Sequence, residues 1–410
     1  QLNKALTYTN DSLTLQSGDR LASSSALVLN LGSLNNGGEL LSDGDLTLNL
    51  TGDLLNSGRL SAQKMLDITA HDVSQNGGRM GAGTDTRLNL SGTLDNLGYL
   101  TARQNLRIDA AQIDNRGTLG AQGKVDLTAT GGITNGADTL LFSGGDMTLR
   151  ASSLLNWYGD LYSAGNLSFA GIDGGAAQSF RNLSGTVESQ GTISLYAVSL
   201  ENAKAEFELG QQRVSGTLSW VCGQHCGGHD SFKRGQITLG QTFIERAIKD
   251  SASARLVAGK DLNIQASSVQ NRYSLMAANN NLTLIAYDLL NQGASTRTGQ
   301  NTIKIGTPAR IATGYWDQME FVDIPAFNAA VAAGHYDDAR FELLKSRSSD
   351  SRFQEQSNVT VWTDNPEPTY AATIQAGATV NLNVTRSVQN GSLHQNTLEQ
   401  LTGTLGEDQT

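Results

Sequence analysis

Gly44-Asp45-Leu46-Thr47-Leu48, completed by Asn56-Ser57-Gly58, holds one unit of a pattern that runs along much of the chain. Its asparagine returns as Asn36, Asn56, Asn76, Asn96, Asn115, Asn135 and Asn156, at intervals of 20, 20, 20, 19, 20 and 21 residues. Its glycine-led strand returns as Gly123-Lys124-Val125-Asp126-Leu127, Gly145-Asp146-Met147-Thr148-Leu149 and Gly165-Asn166-Leu167-Ser168-Phe169. Apolar and polar residues alternate within each strand, the period of a strand with one buried face. Each unit reads as a strand, a turn, a shorter strand and another turn.

A period near 20 with alternation of period two leaves few architectures. It is too short for a propeller blade or a helical pair. A leucine-rich repeat places its asparagine just after the strand, not about ten residues beyond it. The expected fold is all-β: a right-handed parallel β-helix with about 20 residues per coil, its coils stacked at the strand spacing of about 4.8 Å. A single coil cannot bury its own apolar face, so Leu46, Leu66, Leu88, Leu106, Val125, Met147 and Leu167 are expected to stack in one interior column. Asparagine tolerates left-handed backbone and glycine takes positive φ freely, so each Asn-x-Gly marks a corner. The asparagines then form a structural ladder, each bonded to the next.

Composition agrees, with 45 glycines, only 4 prolines and 6% aromatic residues in 410, the balance of a turn-rich β chain. The net charge of −10, with no long basic block, argues against nucleic acid as a partner. No apolar run approaches the roughly 18 residues of a membrane span, and no signal-like leader opens the chain. Strands at Leu13-Thr14-Leu15 and Leu27-Val28-Leu29 start the chain in mid-pattern, the expectation for a piece of something longer.

Along the chain, residues 1–205 read as the regular shaft. Residues 206–254 interrupt it with an expected hairpin turning at Gly210-Gln211-Gln212-Arg213, followed by Cys222, His225, Cys226 and His229. Coils resume over 255–305, with Asn271 and Asn291 back on the period. Residues 306–372 form a second interruption holding all 4 prolines, with two short helices expected around Phe327 and Phe341. Residues 373–410 supply a last coil and a polar tail.

The Gly-Asp-Leu-x-Leu strand followed by Leu-x-Asn-x-Gly resembles the filamentous-haemagglutinin repeat of two-partner secretion exoproteins, a class that includes contact-dependent growth inhibition effectors. The resemblance implies a secreted Gram-negative filament, threaded through an outer-membrane partner transporter, displayed at the cell surface and acting as a monomer. In the growth-inhibition members, a block of these repeats precedes a less repetitive region that recognises an outer-membrane receptor, protein or lipopolysaccharide, on the target cell; a toxin is carried elsewhere. By that comparison the chain is shaft plus receptor-binding region, neither enzyme nor cofactor carrier. Two other functions fit a β-helix: a host-cell adhesin binding glycan or protein, and a polysaccharide lyase. A lyase needs carboxylates or an arginine converging on one groove, whereas Asp45, Asp67, Asp85, Asp126 and Asp146 recur once per coil as outward strand residues.

A uniform shaft offers no buried anchor, so candidate receptor-binding residues come from the interruptions. Trp and Tyr dominate interface energetics. Among Tyr315, Trp316, Phe321, Phe327, Tyr336, Phe341, Trp362 and Tyr370, the candidates are Tyr315, Trp316 and Tyr336, with Trp220, Phe232, Lys233 and Arg234 as a second patch. Cys222 and Cys226 sit among glycines that disfavour the helix a zinc site would need, so a local disulfide is expected, and no metal.

Overall fold

A computed structural model describes residues 6–227, 231–307, 311–348, 353–394 and 397–400. His229, Pro308 and the tail from Thr402 lie outside the described residues. The fold is a parallel β-solenoid whose strands pair in register with those about 20 residues away, as in Leu46 with Leu66. Some coils carry two strands, as the repeat suggested, with the longer one continuous as in Val125–Asn135, and others carry three. In one coil they are Leu46–Leu50, Leu54–Asn56 and Arg59–Ala62. The bend at Thr51-Gly52-Asp53 splits the longer stretch, and the third strand stacks in a parallel sheet of its own, 12 strands deep.

The interior columns differ from expectation at one coil. Leu46, Leu66, Leu106, Val125, Met147 and Leu167 do stack, but the coil between Leu66 and Leu106 contributes Thr86, 1% exposed, rather than Leu88. Leu88 stands in the adjacent column with Ile68 and Ile108. Both positions face inward because strand neighbours two apart share a face; the first leucine of that coil is one inward position late.

The asparagine ladder is continuous from Asn96 to Asn390. Each side-chain Nδ2 donates to the next Oδ1 through Asn115, Asn135, Asn156, Asn182, Asn202, Asn271 and Asn291, at 2.7–2.9 Å. Below it, Asn36 donates to Asn56, but Asn56 donates to Gln75 rather than Asn76. Asn76 is exposed. Gln75 lies two residues after buried Val73, as Asn56 follows Leu54 and Asn96 follows Leu94, so alternation selects Gln75 although the twenty-residue interval points one place later. Gln75 then donates to the Tyr99 carbonyl. Asn36 is the ladder's first rung because Leu15 occupies the equivalent place one coil earlier, leaving Asn36 Oδ1 buried with no partner among the described residues.

The once-per-coil aspartates also have structural work. Asp45, Asp85 and Asp146 accept the backbone N–H of Met65, Asn105 and Asn166, the equivalent turn one coil on.

Neither interruption breaks the rod. Strand 193–203 stacks directly on 262–272, and Asn281–Ala286 on 379–384. The ladder likewise steps from Asn202 to Asn271 at 2.9 Å and from Asn291 to Asn390 at 2.9 Å. Both interruptions leave the rod just after a ladder asparagine, at the same corner, with one coil between them.

Candidate recognition module

Outside the rod the two interruptions build a single body. Its strands, numbered here in chain order, are β1 (Phe207–Gln224), β2 (Phe232–Asp250), β3 (Asn281–Gly306) and β4 (Gln354–Tyr370). They pair antiparallel in the order β1-β2-β3-β4. The hairpin of the first interruption therefore turns beyond Gln224, not at Gly210-Gln211-Gln212-Arg213, which lies inside β1 and pairs with Arg246 to Phe243. Strand β3 belongs to both bodies: it stacks in the rod as far as Gly293 and pairs with β2 from Thr298 onward.

Helices α1 (Thr313–Gln318), α2 (Ile324–Ala332) and α3 (Asp338–Arg347), with a π-helical turn at Met319–Asp323, cover part of one sheet face. Asp337 caps α3 by accepting the Arg340 N–H. Asp323 lies inside the continuous helical run and pairs with Arg340 and Arg347. Leu218, Ile237, Leu239, Ile303 and Ile305 of the sheet meet Trp316, Met319, Ile324, Phe327, Phe341 and Leu344 in a core separate from that of the rod.

This packing decides what the candidate anchors do. Trp316 has 0% exposure, stacks on Trp220 with ring centres 3.8 Å apart, and donates from Nε1 to the Lys233 carbonyl at 3.2 Å. It is a core residue, so its expected role as a surface anchor is corrected: the helices need a large apolar side chain to close on the sheet. Gly235 makes room, because a Cβ there would stand 2.1 Å from the Trp220 ring. Lys233 is also buried, its ammonium held by Asp317 at 2.9 Å and Glu320 at 3.1 Å. The Asp317 hydrogen bond is the chief reason that its pKa is raised, with Glu320 adding to it against the opposing effect of burial. Tyr315 donates to the Arg347 carbonyl, and Tyr336 packs on Phe341 and donates to Asp338. Burial and that bond push the Tyr336 hydroxyl well above its ordinary pKa. Phe232 rests against His225. Arg234 lines a small cleft with Gln354 and Gln356. Thus Tyr315, Trp316, Trp220 and Lys233 come together, but largely to hold the module shut. Among the apolar side chains left outside are Phe321 and Val322, 65% and 51% exposed.

Cys222 and Cys226 are joined by a disulfide at the far end of the first hairpin. At the opposite end, Phe207, Tyr273 and Tyr370 form the joint to the rod, with ring centres 4.0 and 4.8 Å apart and Lys204 above two of the rings. Tyr273 comes from the intervening coil and takes φ of 53° there.

A haemagglutinin-repeat family model matches residues 3–98, 85–141, 120–195, 234–276 and 276–305. The chain belongs to the haemagglutinin-repeat family. It is 27% identical over 91% of its length to proteins named tRNA nuclease CdiA from Escherichia coli O6:K15:H31 (strain 536 / UPEC) and strain NC101, covering 13% of each. It is 26% identical over 47% of its length to a protein named deoxyribonuclease CdiA from Dickeya dadantii (strain 3937), covering 6% of it. The chain therefore spans about an eighth of the length of the first two relatives. No solved structure matches. Haemagglutinin-repeat membership and the solenoid make this a structural segment of a filament-like, two-partner-secreted protein, of a class secreted and exposed at the surface of Gram-negative cells. No helix among the described residues is long and apolar enough to cross a membrane.

Proposed function

We propose that this haemagglutinin-repeat chain is a shaft and receptor-binding region of a contact-dependent growth inhibition exoprotein. In this reading the rod holds the module away from the producing cell, and the module binds a molecule on the target bacterium's outer membrane so that a toxin carried elsewhere can be delivered. Export through an outer-membrane partner transporter and action as a monomer belong to the same reading. The observation that carries it is the convergence of two interruptions, separated by a full coil, into one body with its own core, beside a rod that stacks on without them. A rod needs no such body for cohesion.

The test compares the fluorescent chain with a variant lacking residues 207–250 and 294–371, on intact Gram-negative cells. The expected result is binding by the full chain and none by the variant, whose circular dichroism keeps its β signal. Undiminished binding by the variant would place recognition on the rod and overturn the proposal. Binding confined to animal cells would favour a host-directed adhesin.

A further inference from the structure

The helices cover only the outer half of the sheet face on which they pack. Toward the rod the same face is open, forming a trough of about 570 Å³ lined from all four strands and by α3. Its floor is a relay of side-chain hydrogen bonds. Arg213 of β1 donates to Gln241 of β2 at 2.7 Å, Gln241 donates to Asn301 of β3 at 2.8 Å, and Asn301 donates to Asn358 and Thr360 of β4 at 2.7 and 2.9 Å. Gln241 and Asn301 are 5% and 7% exposed, a buried polar centre next to the apolar half of the face that the helices cover. The relay fixes the orientation of every amide in it. Beyond it lies Trp362. A Cβ at Gly299 would stand 2.6 Å from the ring, so the indole lies against bare β3 backbone, with the Arg297 guanidinium 5.0 Å from its centre.

We propose that this trough binds a neutral saccharide chain, with Trp362 as the stacking platform and Asn358 and Thr360 as hydroxyl partners. The inference rests on reading the module as the recognition element. Three features choose the ligand. An aromatic ring beside oriented amides suits a sugar, which offers an apolar C–H face and hydroxyls that both donate and accept. The backbone groups of the two central strands β2 and β3 are consumed by strand pairing on both sides, so an extended peptide lying across the trough floor finds no backbone partner there. The Arg213 charge is compensated by Asp338 at 2.7 Å and Glu342 at 2.5 Å, and Lys345 stands 3.5 Å from Glu342, which disfavours a phosphate-rich polyanion. The relay leaves the Asn358 Nδ2 without an acceptor among the described residues, and Thr360 keeps a hydroxyl hydrogen to donate.

The full chain would be applied to an array of lipopolysaccharide-core, O-antigen and mammalian oligosaccharides, with any binder followed by saturation-transfer NMR and titration. The expected result is binding of a neutral oligosaccharide, weakened about thirtyfold or more by Trp362→Ala and about two- to tenfold by Thr360→Val or Asn358→Ala. Val361→Ala, on the opposite face of β4, leaves binding unchanged. The Thr360 and Asn358 variants keep the test valid should Trp362→Ala unfold the module. Cell binding without saccharide binding overturns the trough while the recognition reading stands; saccharide binding without cell binding does the reverse. Saccharide binding indifferent to all three trough variants, or selective for phosphorylated glycans, also overturns it.

Discussion

Replacing Trp316 with alanine tests whether the two interruptions fold as one unit. The ring is fully buried, stacks on Trp220 from the other interruption, and its indole N–H satisfies the Lys233 carbonyl. Truncating a buried tryptophan costs about 3–5 kcal/mol, and the orphaned carbonyl adds to that. At about 1.4 kcal/mol per decade, amides exposed only when the module opens should exchange about a hundredfold to a few thousandfold faster. Hydrogen exchange read by mass spectrometry should show this acceleration in Phe207–Gln224 and Phe232–Asp250, which contain no mutated residue, as well as in Gln354–Tyr370. Rod peptides such as Leu106–Ala110 and Val125–Asn135 should be unchanged, since they share no core with Trp316. Acceleration confined to residues 313–348 would refute the single unit, and with it the argument that a body was assembled across the corner.

Three further outcomes follow from named interactions. Asn115→Ala takes one partner each from the Asn96 amide and the Asn135 carbonyl, which keep the Thr118 carbonyl and the Thr139 hydroxyl, for about 1–3 kcal/mol in total, whereas Asn76→Ala should stay within about 0.5 kcal/mol; urea denaturation followed by circular dichroism separates them, and equal effects would reject the ladder as drawn. Glu245→Ala removes the carboxylate that holds Arg297 at 3.3 Å in a largely buried pair, and should destabilise the module by about 1.5–3 kcal/mol, measured by the same exchange experiment. For pH, the raised Lys233 and Tyr336 pKa values give stability that is full below their unfolded values and lost as pH rises through the folded ones, while the lowered Asp338 value, held down by Arg213 and then Tyr336, gives stability lost as pH falls through it. Module melting monitored by tryptophan fluorescence should therefore weaken at both extremes, and Lys233→Met should flatten the alkaline limb.

The rod was legible because each coil repeats the same local decision, and stacking makes neighbours of residues 20 apart. Its errors came from trusting the interval over the alternation. Val73 points to Gln75, and Thr86 occupies the inward position two before Leu88, both visible once inward residues are counted in steps of two. The module was not legible in the same way. Nothing near Gly216 announces that the Phe341 ring will lie against it, because that contact exists only after the intervening coil has brought the two exits together. The glycine and polar cluster at 210–213 has turn composition, yet pairing with residues 243–246 keeps it extended. Burial divides the aromatic residues of the second interruption: Trp316 and Phe341 are core, while Trp362, seated on Gly299, lines the open trough.

The coupling of module to rod bears on how such a region could work. A recognition body on a flexible tether would swivel, and a load applied to it would first take up slack. Here β3 runs unbroken from the rod into the module, so a load on the trough floor at Asn301 passes along one strand to Asn291 of the ladder. The hydrogen bonds to its neighbours would have to shear together before that strand could shift. The Phe207–Tyr273–Tyr370 cluster resists rotation about that strand, because its rings come from the first exit, the intervening coil and the second return. Rod and module are thus joined by a continuous strand and a three-ring joint, an arrangement that, under the proposed receptor-binding role, suits holding two cells together.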